Sequence, residues 1–267
     1  MKAVRSITLG HYLPGNSLLH KLDPRIKLIN LFILFAALFM IKSFLGFAIF
    51  CIFILTVFFS AGLPWRYFLR GLKPIFYIVF FTITLHFLFT KGGRVYWHWG
   101  PLTVEEAGVY LGTFMTLRLI LLVITTLLVT LTTSPIAFAD GIEFLLRPFR
   151  CLGVPGHEIA MMMTIALRFI PTLMEEGTKI RNAQMARGAD FETGNIFRRA
   201  RSLVPLLVPL FVSAFRRADE LAVAMEARCY RGGVNRTKMR QLQTGILDYF
   251  GLVTVAGFTL ALILSGV

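Results

Sequence analysis

The sequence predicts an all-α membrane protein with about five transmembrane helices and one polar region of long, kinked helices inserted before the last span. Three observations carry this. Of 267 residues, 56% are hydrophobic and 16% charged, with a mean hydropathy of +0.71, well outside the composition of a water-soluble domain. The apolar residues are gathered into uncharged runs of spanning length, since a helix needs about 20 apolar residues to cross a bilayer. The charges collect instead in residues 134–240, which hold 16 of the 28 basic and 10 of the 14 acidic residues. There the apolar positions recur at helical spacing, and no strand alternation is read anywhere in the chain.

The runs are Leu28–Ile41, Ser43–Trp65, Pro74–Thr90, Ala107–Ala139 broken only by Arg118, and Tyr249–Val267. The first is short, but Lys27 and Lys42 at its ends can snorkel to the headgroups and extend it. The third, 17 residues, covers about 26 Å as a helix, close to the thickness of a bilayer core. Arg118 is costly in lipid and should face a protein or watery interior, although it can also snorkel outward. After the fourth run, Ser134 and Pro135 make a helix start, the hydroxyl capping free amides and the proline lacking an N–H that would go unused. Two further helical runs follow, Glu158–Arg187 interrupted by Pro171 and Ile196–Tyr230 containing Pro205 and Pro209. Interior prolines remove hydrogen bonds and bend helices.

Charge asymmetry sets the orientation, because short loops rich in Lys and Arg stay cytoplasmic. Lys2, Arg5, Lys21, Arg25 and Lys27 precede the first span against Asp23 alone, and Arg66, Arg70 and Lys73 follow the second without an acid. The loop after the third span balances Lys91 and Arg94 with Glu105 and Glu106 and carries Trp97, His98 and Trp99 like an interfacial belt. These features predict a multi-pass protein of the cell membrane with a cytoplasmic N-terminus and an external C-terminus; Lys42 is the weak exception. Three regions result: 1–133 with spans one to four, 134–240 as a cytoplasmic or interfacial helical domain, and 241–267 with the last span. The basic excess, 28 against 14, first suggests cytoplasm-facing loops, with nucleic acid a distant second; the partners expected on this side are membrane lipids and no nucleic acid. Cys51, Cys151 and Cys229 show no CxxC spacing and read as free thiols. Charged and turn residues up to Lys27 predict no cleavable signal peptide.

One pattern occurs twice, 41 residues apart: Ala183-Gln-Met-Ala186-Arg187-Gly188 and Ala224-Met-Glu-Ala227-Arg228-Cys229. Alanines three apart leave a smooth helix face that another backbone can approach, and an arginine one turn from the helix end projects five donors past it. A simpler reading is that Arg187 and Arg228 only complement the negative helix ends, which Gly188, or Gly232 and Gly233, terminate. On the residues alone both readings stay open. The run Ser17-Leu-Leu-His20-Lys-Leu-Asp23-Pro24-Arg25-Ile-Lys27-Leu-Ile29 is dense in cap chemistry, and starting a span accounts for it.

These residues, together with Thr133-Ser-Pro135, Ala139-Asp-Gly141 and Ala166-Leu-Arg168-Phe-Ile-Pro171-Thr-Leu173, resemble the transmembrane T component of energy-coupling factor (ECF) transporters, the EcfT family. The resemblance runs over nearly the whole chain and keeps the family's order. It implies a non-catalytic scaffold joining two cytoplasmic ABC-type ATPases to a membrane S component that binds a vitamin or other micronutrient. The arginine motifs that end coupling helices and insert into the ATPases fall on Ala186-Arg187-Gly188 and Ala227-Arg228-Cys229. Cys229 stands where the family has glycine, which leaves the helix termination there open. ATP and Mg would belong to the partner subunits, and this chain is expected to bind no cofactor.

Other patterns are weaker. His11, His20, His86, His98 and His157 lack metal-ligand spacing, so no metal site is expected. The chain has no Walker A glycine loop. A rival reading is a membrane enzyme of lipid or prenyl metabolism using Asp140, Glu143 and His157, but these lack a repeated acidic motif or a nucleophile and base at defined spacing. A conventional ABC importer permease is the other rival. Met161, Met162 and Met163 read as packing, and Arg216 and Arg217 as pairing along their helix with Asp219 and Glu220.

Overall fold

The computed structural model describes residues 12–99, 102–153, 155–189, 191, 196–232 and 244–266. In chain order the elements are α1 (Leu18–Lys21), α2 (Pro24–Met40), α3 (Phe44–Ala61), α4 (Trp65–Phe89), β1 (Val95–Trp99), β2 (Leu102–Glu105), α5 (Glu106–Thr132), α6 (Pro135–Leu146), a 3-10 segment at Arg147–Leu152, α7 (Gly156–Ala186), α8 (Ile196–Ala227) and α9 (Ile246–Leu264). The chain divides into two compact units, one containing Ile142–Arg240 and the other Thr8–Gly141 with Gln241–Val267.

The second of these is the apolar unit. Four of its segments are long and apolar enough to cross a membrane: Phe44–Ala61, Gly71–Phe89, Glu106–Thr132 and Ile246–Leu264. The remaining expected span, α2, is shorter at 17 residues, about 26 Å of helix. It is an inner helix that packs on α5 and α9. Its Ala37 and Leu38 are wholly buried, beside Phe47, Phe50 and Ile54 of α3 and Leu121, Leu128 and Leu131 of α5. Phe53 of α3 stacks on Phe258 of α9 with ring centroids 4.0 Å apart.

Local chemistry sets the helix starts. Asp23 Oδ1 accepts from the Arg25 N–H at 2.8 Å with Pro24 at the first helical position. Ser43 Oγ accepts from Gly46 N–H at 3.2 Å, and Ser134 Oγ accepts from Ala137 N–H at 3.3 Å. Helix α3 stops at Gly62 with φ +60°, a left-handed cap that glycine adopts without steric cost.

Three expectations need correction. A strand pair does exist: β1 and β2 form an antiparallel hairpin, with a register irregularity between Val95 and Trp97. Its strands are too short for alternation to register, although the β-branched and aromatic residues around Gly100-Pro101 were a usable signal. Lys27 does not snorkel to the headgroups: it is buried, and its Nζ donates to the Thr132 carbonyl at 2.9 Å, because the end of α5 offers an unused acceptor there. Arg217 reaches across to another helix, as described below, instead of pairing along its own. Arg118, by contrast, meets the expectation of a protein environment. Its Nη2 donates to the Ile41 carbonyl at 3.0 Å, and its guanidinium lies over the rings of Phe114 and Phe39 at 5.0 and 5.6 Å. It thereby satisfies a carbonyl at the C-terminus of α2 where no water can.

Two arginine-tipped helix ends

The polar unit is built on α7 and α8, which pack side by side. Both helices run unbroken through their prolines, Pro171 in α7 and Pro205 and Pro209 in α8. Their contacts fix an antiparallel pair. Gln184 meets Pro205, Glu176 meets Arg217, and Met161 and Ile165 share a cleft of about 580 Å³ with Leu221, Met225 and Arg228. The ends of α7 and α8 therefore lie at opposite ends of the pair. From Ile165 to Arg187 the helix advances roughly 33 Å at about 1.5 Å per residue.

Both ends close in the same way. Gly188 N–H donates to Met185 O at 3.0 Å and Ala189 N–H to Gln184 O at 2.9 Å. At the other end Cys229 N–H donates to Glu226 O at 2.8 Å and Tyr230 N–H to Met225 O at 3.0 Å. These are the paired bonds of a Schellman cap. The residue in the left-handed position is Gly188 with φ +86° at one end and Cys229 with φ +54° at the other. The termination left open by the missing glycine is thus settled: cysteine occupies the glycine conformation and the cap forms.

Exposure also repeats position by position. Ala183, Ala186, Arg187 and Gly188 are exposed, as are Ala224, Ala227, Arg228 and Cys229, while the second residue of each motif, Gln184 or Met225, is turned partly inward. The inward residues lock the ends. Gln184 Nε2 donates to Pro205 O at 3.4 Å, a carbonyl that residue 209, being proline, cannot bond from four positions on. Met225 packs toward Met161 and Ile165 in the cleft. Between the ends, Arg217 Nη2 pairs with Glu176 Oε2 at 2.8 Å. Hydrogen bonds from Arg217 and then Ser213 hold the Glu176 carboxyl below its ordinary range. What the arrangement offers is two capped helix tips, each with a small-residue face and a guanidinium free to make a bidentate contact with a carboxylate.

Glu143 and His157, named for the enzyme reading, do meet, Nδ1 to Oε1 at 3.3 Å, joining α6 to the first turn of α7; Asp140 is half-buried on α6. Among the described residues no group of three His, Cys, Asp or Glu side chains is placed to hold a metal. Of the expected positions, Lys2, Arg5, His11 and Gly233 lie outside the described residues. Sequence reasoning missed Gln184 and Asp248. Asp248 starts α9, its Oδ2 accepting from Gly245 N–H at 2.8 Å, and an acid three residues after a glycine before an apolar run was the available signal.

Fold and helix ends together define a polytopic α-helical membrane protein that carries a polar pair of long helices. The chain matches the family described as cobalt transport protein, CbiQ, over residues 15–239. It is similar to the energy-coupling factor transporter transmembrane protein EcfT of Thermosediminibacter oceani, 55% identical over 262 residues and 98% of each chain. The proteins of that name from Acidaminococcus fermentans and Bacillus subtilis are 53% and 50% identical, covering 95% and 89% of each chain. The chain belongs to the EcfT family, the transmembrane components of energy-coupling factor transporters.

Proposed function

We propose that this subunit couples ATP binding and hydrolysis in two cytoplasmic ABC-type ATPases to movement of a membrane S component that binds a vitamin or micronutrient. The observation that carries this reading is the pair of identically capped, exposed arginine tips at opposite ends of one helix pair. Repetition at both tips, with the same residues turned inward and outward, fits two like partners better than helix-end charge compensation, which needs neither the alanines nor the shared exposure pattern. The subunit itself catalyses nothing; ATP and Mg sit in the ATPases. Exposed Val204, Val208, Phe211 and Phe215 form an apolar row along α8, which suits contact with a membrane-embedded partner or the bilayer surface. In this reading the N-terminus and residues 134–240 are cytoplasmic and the C-terminus external, and the substrate is chosen by the S component.

Replacement of Arg187 or Arg228 by alanine should weaken ATPase assembly by about 2 to 5 kcal/mol, much of it the cost of a buried partner left unpaired. Lysine should rescue only in part, because it lacks the planar fork. The double alanine variant should insert in the membrane and keep its S component yet lose its ATPases on purification. Normal assembly and transport by that double variant would reduce both arginines to helix-end charges.

A further inference from the structure

The chain leaves the apolar unit after α5, through α6, and returns to it just before α9. Both crossings are tied, within the apolar unit, to the first turn of α2. On the outgoing side Lys27 Nζ donates to Thr132 O, at the last residue of α5, at 2.9 Å. Further along, a Cβ at Gly141 of α6 would meet Leu28 Cδ1 at 2.7 Å and Pro24 O at 3.4 Å, so α6 is laid directly on the start of α2. On the returning side Asp248 accepts from two backbone N–H groups, Gly245 at 2.8 Å and Asp23 at 2.6 Å. Asp23 in turn caps α2. Asp23, Lys27, Thr132 and Asp248 are each less than a tenth exposed.

Burying two carboxylates and an ammonium is costly, and apolar replacements of such clusters often stabilise a fold. What the polar cluster supplies is directional bonding: it fixes where α5 ends and where α9 begins relative to the same turn. We propose that Asp248, with Asp23 and Lys27, is a positioning cluster through which movement of the polar helices is transmitted to the spans. This rests on the coupling function above. Loss of Asp248 frees the returning crossing and leaves the arginine tips intact.

The test uses the complete complex with its ATPases and S component, free of native cysteines, with spin labels at Lys91 and Ser265. In the wild type, ATP with vanadate should shift the distance between the labels. In Asp248→Ala the ATPases should stay bound and hydrolyse ATP at the wild-type rate, while the shift is lost. Asp248→Asn, which keeps an acceptor for Asp23 N–H, should restore part of it. A full shift in Asp248→Ala overturns the proposal, as does no shift in the wild type. Parallel loss of hydrolysis and shift, in step with the amount of complex, also overturns it, and so does failure of both variants to accumulate, since the cluster would then be a folding requirement only. The Arg187→Ala/Arg228→Ala variant, run alongside, separates the two ideas. If it keeps its ATPases, the coupling function fails; if it loses them while Asp248→Ala shifts normally, only the positioning role fails.

Discussion

Cys229 is the residue at which this chain departs from its own repeat. Its φ of +54° brings Cβ against the following carbonyl, a cost of roughly 1 to 2 kcal/mol that glycine avoids. Cys229→Gly should therefore raise stability by about 1 kcal/mol, and Gly188→Ala should lower it by a similar amount, measured by denaturant titration of the detergent-solubilised chain. Cys229→Ala, which keeps the Cβ, should gain nothing; an equal gain from alanine would assign the effect to the thiol instead of the backbone. The arginines and alanines of both motifs were legible as residues because they recur in one spacing. Gln184 was not, since its role depends on a carbonyl of α8 freed by Pro209, and nothing local to Gln184 announces that acceptor.

At the scale of elements, α4 and α5 pack through glycine. A Cβ at Gly108 would stand 2.8 Å from the His86 carbonyl and 3.0 Å from that of Thr90, both backbone atoms of the α4 end, whereas at Gly257 of α9 nothing lies within 4 Å. Backbone cannot rotate away as a side chain can, so Gly108→Ala should push α4 off α5 and cost about 1 to 3 kcal/mol. Gly257→Ala should be neutral or slightly stabilising, as expected of helix propensity alone. Thermal unfolding of the two variants side by side checks this, and equal midpoints would show that the two helices are not in close contact at Gly108. Helix starts at Asp23-Pro24 and Ser134 were readable because a cap is completed within three residues. The β1–β2 hairpin escaped because its pairing partner lies on the other strand and each strand is short.

For the whole molecule, the orientation deduced from charge can be tested with single cysteines in a cysteine-free variant. An impermeant thiol reagent applied to intact cells should label residues 103 and 265 and spare residues 6 and 195; labelling at 195, or protection at both 103 and 265, would reverse the topology. Residues 6 and 195 lie outside the described residues. In the apolar unit, the start of α2, the end of α5 and the start of α9 share one end, through the Lys27–Thr132 and Asp23–Asp248 bonds. That is the side-by-side parity which the charge counts require of these three ends.

The sequence by itself determined the membrane class, the order of the helices, the long proline-containing helices α7 and α8 and the two arginine tips. Each of those rests on a signal completed within a few residues: hydropathy of a run, a cap, a proline, a repeated spacing. Only the tertiary structure decided that α7 and α8 lie antiparallel, so that their tips face opposite ends, and that cysteine closes the second cap. It also decided where the buried polar groups find partners. Lys27 bonds a carbonyl 105 residues away, Arg118 one 77 residues away, and Asp23 a carboxylate 225 residues away. A buried donor without an acceptor is costly because the bilayer and the core supply no water. Which acceptor it finds is fixed by which helices pack together, and packing is not a local property of the chain.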